Sequence, residues 1–350
     1  MRKKIIFILF LIAIHPLTSI GQTALVQVKT DAGFWGYANL NGDLVIPAQY
    51  KNCDPFSSNG LAVVEKDGLY TIINTKGEAI PTEVQGFNII QGAFGIGAKG
   101  YANDLLAIKS GKKWGYLNTS GKIAIPLKYD FATEFDGGYA AATIGGRYVI
   151  LDTKGAETAI ISADNITEIK HFSEGLAPIR AANGLYGFVN TKGETVIKPQ
   201  FKSVGYFSGG FAWAKNADGK AGFVDPKGEW AIKPIYLSVT DFDNVSKFAK
   251  VKDEAGWAYI DVSGKKLFVS STESWGDFNE GLAIGDQLGK KGFYNTKGEW
   301  VIKPIFEGVR KFSNGYAAAK MDGRWGIIDT TGKWVMKPKY SGIYDVVLIK

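Results

Sequence analysis

The sequence predicts an all-β protein of tandem three-stranded antiparallel β-hairpin repeats, stacked as an open, twisted, solenoid-like array. One segment recurs along the chain, and the turn glycine within it recurs every 34 to 44 residues. The recurring segment is rich in aromatic and β-branched residues, which favour strands. Self-similarity at a fixed period is the signature of a repeat architecture. The clearest copies are Phe188–Pro199, Phe223–Pro234, Phe293–Pro304 and Ile327–Pro338.

The first residues read as an export signal. Arg2, Lys3 and Lys4 precede an apolar run from Ile5 to Ile14, and small residues follow near Gly21. This pattern is typical of a secretory signal peptide, and the run is short for a membrane span. We therefore expect residues 1–21 to be removed, residues 22–350 to form a single array outside the cytoplasm, and no membrane span to follow cleavage.

Nine copies fill the mature chain. Their turn glycines are Gly42, Gly77, Gly121, Gly155, Gly193, Gly228, Gly264, Gly298 and Gly332. Each copy begins with strand A, in which a Trp-Gly or equivalent pair such as Trp35-Gly36 lets another backbone approach closely. In the following turn, Asp225-Pro226-Lys227-Gly228 has the preferences of a type I turn that ends in a left-handed glycine. The recurrent Asn or Asp of this turn is interpreted as turn chemistry.

Strand B follows the turn, as in Glu299–Pro304, and alternates in side-chain direction. Pro closes it in seven of the nine copies and is expected to mark where it leaves the sheet. A Phe-Ser-x-Gly-Leu/Tyr-Ala signal then opens strand C. This signal occurs at Phe135–Ala140, Phe172–Ala177, Phe207–Ala212, Phe278–Ala283 and Phe312–Ala317.

The ends of the chain bear on whether the array is open. Segments that resemble the predicted strand C occur at Ala24–Val28 and again at Val346–Ile349. Two like strands at opposite ends favour a capped stack. The short repeats and the count of nine also argue against a propeller, because propellers usually have about 4–8 blades of four strands. A β-propeller-like ring is the alternative.

These motifs resemble those of the WG-repeat proteins, a bacterial family of tandem β-repeats named for the Trp-Gly of strand A. The resemblance covers Thr23 to the C-terminus. Gly follows Trp at Trp35, Trp114 and Trp325, whereas Ala258 follows Trp257. The resemblance implies a β-repeat architecture, often on exported proteins, and implies no catalytic residue.

The chain offers little for catalysis. His171 is the only histidine after processing and Cys53 the only cysteine, which excludes multi-histidine and cysteine-cluster metal sites. Gly95–Gly100 matches G-x-G-x-x-G but lies in a glycine-rich insertion without a βαβ unit. We expect no enzyme activity, no catalytic residue, no cofactor and no metal. Cys53 is expected to be buried.

Charge argues against nucleic acid as a partner. The formal charge of +7 falls to +4 without the signal, and the lysines are spread along the array. Most aromatic residues recur in phase and are expected to form the core. The ligand-surface candidates are those out of phase: Phe94, Tyr101, Tyr206, Trp213 and Trp275. We expect an interaction scaffold with an unknown extracytoplasmic protein partner; the alternative is a carbohydrate or cell-wall binding module that uses exposed aromatic rings.

Overall fold

The computed structural model describes residues 23–90, 100–161, 165–267, 269 and 272–349. These residues form nine four-stranded antiparallel sheets. The sheets are the blades of a closed ring, so the fold is a nine-bladed β-propeller. All the regular elements in the described ranges are strands. The prediction of an all-β repeat protein is confirmed, whereas the prediction of an open solenoid is wrong.

Blade one contains β1 (Thr23–Lys29), β2 (Trp35–Ala38), β3 (Leu44–Tyr50) and the last strand of the chain, β36 (Gly342–Ile349). Blade two contains β4 (Asn52–Cys53), β5 (Leu61–Lys66), β6 (Leu69–Asn74) and β7 (Ala79–Ile80). Blade three contains β8 (Asn88–Ile89), β9 (Leu106–Ser110), β10 (Lys113–Leu117) and β11 (Ile123–Tyr129). Blade four contains β12 (Phe131–Ala132), β13 (Tyr139–Ile144), β14 (Arg147–Asp152) and β15 (Glu157–Ile160). Blade five contains β16 (Ile166–Ile169), β17 (Leu176–Ala181), β18 (Tyr186–Asn190) and β19 (Thr195–Phe201). Blade six contains β20 (Ser203–Val204), β21 (Ala212–Lys215), β22 (Ala221–Val224) and β23 (Trp230–Tyr236).

Blade seven contains β24 (Ser238–Val239), β25 (Phe248–Asp253), β26 (Gly256–Asp261) and β27 (Lys266–Leu267). Blade eight contains β28 (Trp275–Asn279), β29 (Leu282–Gln287), β30 (Lys290–Asn295) and β31 (Trp300–Phe306). Blade nine contains β32 (Gly308–Val309), β33 (Tyr316–Met321), β34 (Arg324–Asp329) and β35 (Trp334–Tyr340). In each blade we number the strands first to fourth, so that β36 is the first strand of blade one.

The ring is closed by pairing of the two terminal strands. β1 runs antiparallel to β36, with Leu25 opposite Val347 and Val26 opposite Val346. From the sequence, both segments are predicted to be C strands that cap the two ends of an open stack, and this prediction is wrong. The structure shows that Val346–Ile349 belongs to the first strand of blade one, which completes the sheet that β1 begins. One end of the chain thus supplies the strand that the other end lacks.

Each blade has one strand more than the sequence indicated. The missed element is the first strand, which in blades two, three, four, six, seven and nine is only two residues long, as in Gly308–Val309. It pairs with the second strand, which is the predicted strand C; Val309 lies opposite Ala319. A strand of two residues has no measurable alternation, so no sequence period could reveal it.

The glycine after Trp allows the fourth strand to cross the blade. A Cβ on Gly36 would lie 2.6 Å from the Ile46 carbonyl oxygen and 2.8 Å from the Ala48 Cα. The close backbone approach predicted for this glycine is therefore confirmed. The fourth strand continues past Pro47 as far as Tyr50, which pairs with Trp35, so the expectation that Pro ends the strand is wrong. The pairing shifts register across the Pro instead.

The same crossing occurs in six blades. Their third strands carry Gly36, Gly115, Gly187, Gly222, Gly292 and Gly326, and each of their fourth strands is seven residues long. The other three blades have Thr71, Val149 and Ala258 at this position, and their fourth strands are two, four and two residues long. Glycine is present where the chain folds back over the third strand, because a side chain there would meet main-chain atoms.

The predicted turn after strand A is confirmed. All nine turn glycines have a positive φ, between 76° and 86°. The Asn or Asp at the start of the turn holds it together: the Asn190 side-chain oxygen accepts hydrogen bonds from the amides of Lys192 at 3.0 Å and Glu194 at 3.1 Å. This geometry explains why Asx recurs there and identifies these residues as structural.

The hydrophobic core lies between neighbouring blades. The Phe of the signal that opens strand C packs against an aromatic ring of the preceding blade. That ring lies in the third strand except in blade five, where Phe172 contacts Tyr139 of a second strand. The ring centroids of Phe293 and Phe312 are 4.6 Å apart, and those of Tyr37 and Phe56 are also 4.6 Å apart. These phased rings therefore form the inter-blade core, as the repeat pattern predicted.

Candidate functional site

The sequence candidates occupy different environments. Phe94 lies outside the described residues. Tyr101 is only 8% exposed, and its hydroxyl donates a hydrogen bond to the Asn118 carbonyl oxygen at 3.0 Å. Burial raises the pKa of Tyr101 above its ordinary value. Its ring is thus part of the core between blades two and three rather than of an open surface.

The two tryptophan candidates are half-buried. Trp213 packs with Phe223 and Phe242 between blades six and seven, and Gly205 leaves the space that its indole fills. Trp275 packs against Tyr259, with the ring centroids 5.1 Å apart. Both rings are therefore partly exposed and partly used in packing. Of the sequence candidates, Tyr206 and Trp213 each line a cleft together with charged side chains.

Tyr206 belongs to a set of residues that we call the pre-Phe residues, each of which directly precedes a buried Phe that lies near the end of a first strand or just after it. In blades four to nine they are Glu134, His171, Tyr206, Asp241, Asp277 and Lys311. The Phe is the same in every one of these blades, whereas the residue before it is acidic, basic or aromatic. These residues lie close to one another because the segments after the first strands of successive blades line shared clefts.

The first of these clefts, which we call the Tyr206 cleft, has a volume of about 560 Å³. It is lined by residues of blades three to six, a span that places it on the axial side of the ring. Tyr206 and His171 stack with their ring centroids 3.9 Å apart, and His171 Nδ1 lies 3.4 Å from Glu134 Oε1. The three pre-Phe residues of blades four, five and six therefore form one contiguous row.

Charge and apolar surface meet in the Tyr206 cleft. Glu168 of β16 faces it together with Tyr148, Phe131 and Ile169. The pKa of Tyr206 is raised to about 12, first by burial and then by the negative charges of Glu134, Glu168 and Asp241. Burial and Glu168 also raise the pKa of Tyr148. Both phenols are therefore neutral at physiological pH and face carboxylates.

A second cleft, of about 660 Å³, continues the row through blades six to nine. Asp241, Asp277 and Lys311 line it, with Trp213 at its wall. Burial, followed by the charge of Asp277, raises the pKa of Asp241. Asp277 is in turn 3.1 Å from the ammonium group of Lys250. The second cleft is more polar than the first.

This arrangement is suited to binding. Within the described ranges, no group of three or more His, Cys, Asp and Glu side chains could hold a metal ion. Nor does any helix in those ranges have the length and apolarity to span a membrane. The clefts offer carboxylates, hydroxyl groups and ring faces that converge from several strands, which can orient a ligand without covalent chemistry.

Sequence reasoning missed all of the pre-Phe residues except Tyr206. It used the Phe-Ser-x-Gly signal only to place strand C and interpreted acidic residues as surface charge. The signal that could have found the site is the residue before each Phe in the repeats, which varies while the Phe recurs. Without the ring, however, nothing in the sequence indicated that these positions share one axis.

Comparison with known proteins supports the repeat assignment. The family model described as "WG containing repeat" matches residues 35–70, 114–148, 186–220, 222–257, 292–325 and 325–347, together more than half of the chain. These six segments begin in the six blades that have the crossing glycine. A search of curated proteins found no match.

Among solved structures, a crystal structure of the eukaryotic initiation factor is similar to this chain, with a TM-score of 0.63 at 13% identity; the match covers 93% of this chain and 98% of that one. The crystal structure of BamB from Moraxella catarrhalis has a TM-score of 0.41 at 13% identity, and the match covers 87% of this chain and 88% of that one. The crystal structure of Kluyvelomyces marxianus Hsv2 has a TM-score of 0.40 at 9% identity, and the match covers 74% of this chain and 97% of that one. At these identities the first match supports the propeller fold and no function.

Proposed function

The chain belongs to the WG containing repeat family, and from this premise we propose that it is a non-catalytic, exported interaction scaffold that binds another protein through its axial clefts. Repeat folds of this kind commonly present an extended surface on a rigid frame. Here the frame is a closed ring, and its variable side chains are concentrated near the axis.

One observation carries the proposal. The positions that recur from blade to blade, such as the turn glycines and the buried Phe, have structural contacts that account for them. The pre-Phe residues change from blade to blade and yet line shared clefts. Residues that contact a ligand are expected to vary in this way, because packing inside the protein does not determine which residue occupies these positions.

Export is supported by the first residues. The positive residues before the apolar run, together with the small residues near Gly21, favour cleavage there. Intact-mass measurement on native material is expected to show a chain that begins at or close to Gln22. A mass that includes residues 1–21 contradicts this part of the proposal.

The carbohydrate-binding alternative has less support. It requires exposed aromatic faces, and all nine Trp side chains are half-buried. Of the aromatic side chains in the described ranges, only Phe34 and Phe131 are exposed, at 47% and 42%. A glycan array with the mature protein separates the alternatives, since specific glycan binding favours the carbohydrate module.

Capture from a cell-envelope extract tests the scaffold proposal. The bait is the mature protein, compared with the Glu168→Gln/Tyr206→Leu double variant in the Tyr206 cleft. The control is Glu229→Gln, which removes one charge from an exposed turn. A protein partner is expected to bind the wild type and the control and to be lost from the double variant. Equal recovery on all three baits, or no partner at all, overturns the proposal for this cleft.

A further inference from the structure

We propose that the Tyr206 cleft binds a guanidinium group, namely an arginine side chain of the protein partner. This inference rests on the proposed function and specifies the chemistry of the same site. Three properties of the cleft carry it: an excess of negative charge, aromatic faces beside that charge, and a partly enclosed volume.

The charge of the cleft favours a cation. Glu134 and Glu168 line it, and the negative charge of Asp241 in blade seven also acts on the Tyr206 phenol. Two basic residues also line the cleft, but the Lys170 ammonium lies 5.3 Å from the centre of the Tyr186 ring and is engaged there. His171 lies against Glu134. The lining therefore has two carboxylates and one lysine ammonium, besides His171.

Glu168 is the carboxylate best placed to bind the ligand. In the described part of the chain its carboxylate has no hydrogen-bond or ion-pair partner, although its main chain pairs with Arg180, whereas the Glu134 carboxylate is held by His171. Its negative charge reaches both Tyr148 and Tyr206, whose phenols lie on the same cleft. A cation that enters between these rings therefore meets the carboxylate of Glu168 in surroundings that are partly shielded from water, where charge pairing is stronger.

Aromatic walls distinguish a guanidinium from an ammonium group. Tyr206, stacked on His171, and the half-buried Tyr148 offer ring faces, and the exposed Phe131 lies at the same cleft. A guanidinium is planar and weakly hydrated, stacks on such faces and can donate two parallel hydrogen bonds to one carboxylate. A lysine ammonium is a strongly hydrated point charge and gains less from the rings.

The test uses direct binding to the mature protein, with capped Gly-Arg-Gly as the probe. Capped Gly-citrulline-Gly has nearly the same shape without the charge, and capped Gly-Lys-Gly has the charge without the plane. Titration calorimetry or ligand-observed NMR gives the three dissociation constants. The arginine peptide is expected to bind at least about tenfold more tightly than the citrulline peptide, as expected for loss of a charge-assisted hydrogen bond.

Variants assign the contact. Glu168→Gln and Tyr206→Leu are each expected to weaken arginine binding about tenfold or more, and Tyr206→Phe, which retains the ring, is expected to weaken it less than Tyr206→Leu does. Glu229→Gln is the control for net charge, and melting temperatures verify that every variant is folded. Equal affinity for the arginine and citrulline peptides, or arginine binding that Glu168→Gln does not change, overturns the inference. So does preferential binding of the lysine peptide.

Failure here is distinguishable from failure of the scaffold proposal. If envelope capture depends on the Tyr206 cleft but the arginine peptide does not bind, the protein is a scaffold that recognises other chemistry. If the arginine peptide binds as expected and no protein partner is captured, the guanidinium site stands as a binding site for that group and the scaffold proposal fails.

Discussion

Gly228 lies directly against Ile197 of the preceding blade: a Cβ on this glycine would be 2.9 Å from Ile197 Cγ2. The same contact joins other neighbouring blades, with 3.0 Å for Gly332 and Ile302. At the closure of the ring, Gly42 faces Met336 at 3.2 Å. The junction between the two ends of the chain therefore uses the packing that joins blades along the chain.

The turn glycines differ in what a side chain would meet, which allows two costs to be separated. Gly228→Ala is expected to destabilise the protein by more than Gly264→Ala. Both glycines have positive φ, at 84° and 81°, so each Ala incurs a left-handed penalty of about 1–2 kcal/mol. Only Gly228 has a neighbour within 4 Å. Denaturant unfolding measures the difference; equal losses contradict the inter-blade contact.

The crossing glycine should be less tolerant than either turn glycine. A Cβ on Gly187 would lie 2.3 Å from the Ile197 carbonyl oxygen, and main chain cannot move aside as a flexible side chain can. Gly187→Ala is expected to cost roughly 3 kcal/mol or more, in the range of overpacked cores. The reverse change in blade seven, Ala258→Gly, is expected to cost only about 1 kcal/mol. Thermal or denaturant unfolding compares the two, and a mild effect of Gly187→Ala would show that the fourth strand can shift.

The sequence was sufficient for the repeating part of the fold because local chemistry determines it. Positive φ at Gly228 follows from the turn that Pro226 identifies, and the alternation of strand B follows from its residues. Closure was not predictable in this way, since Leu25 and Val347 are far apart in sequence and either could pair in a stack or a ring. The pairing of His171 with Tyr206 was hidden for the same reason: adjacency across blades depends on the ring.

Cys53 is expected to resist thiol reagents in the folded protein. Its side chain is 4% exposed, as the sequence analysis expected, and burial raises the pKa of the thiol to about 12. The reactive thiolate is therefore scarce at neutral pH. Labelling with iodoacetamide, followed by mass spectrometry, should be slow in buffer and rapid in denaturant. Equally fast labelling in both conditions contradicts this packing between blades one and two.

Asp241 makes stability depend on pH. Because its pKa is raised in the folded state, the folded protein binds its proton more tightly than the unfolded chain does. Its destabilising contribution is therefore absent below the unfolded pKa of about 3.9 and complete above the folded pKa. Asp241→Asn should raise the melting temperature at pH 7 and have a smaller effect near pH 4. Asp277→Asn removes a charge that is paired with Lys250 and serves as the comparison. A lower melting temperature for Asp241→Asn at pH 7 contradicts this assignment.

Closure of the ring should be essential for stability, although β36 is only the last strand of the chain. Ile343, Val346 and Ile349 of β36 are buried, and each side chain contributes about 1.5–3 kcal/mol by burial. Removal of residues 341–350 also exposes the edge of β1, which favours association with other chains. The truncated chain is expected to unfold at much lower denaturant concentration and to aggregate.

The control is a circular permutant in which a Gly/Ser linker joins residue 349 to residue 23 and the chain is opened at the exposed turn of Asp67 and Gly68. This permutant retains all four strands of blade one and is expected to melt close to the wild type, because the terminal strands are already paired. A truncated chain as stable as the wild type, or a permutant that fails to fold, would show that the terminal strands do not close the ring.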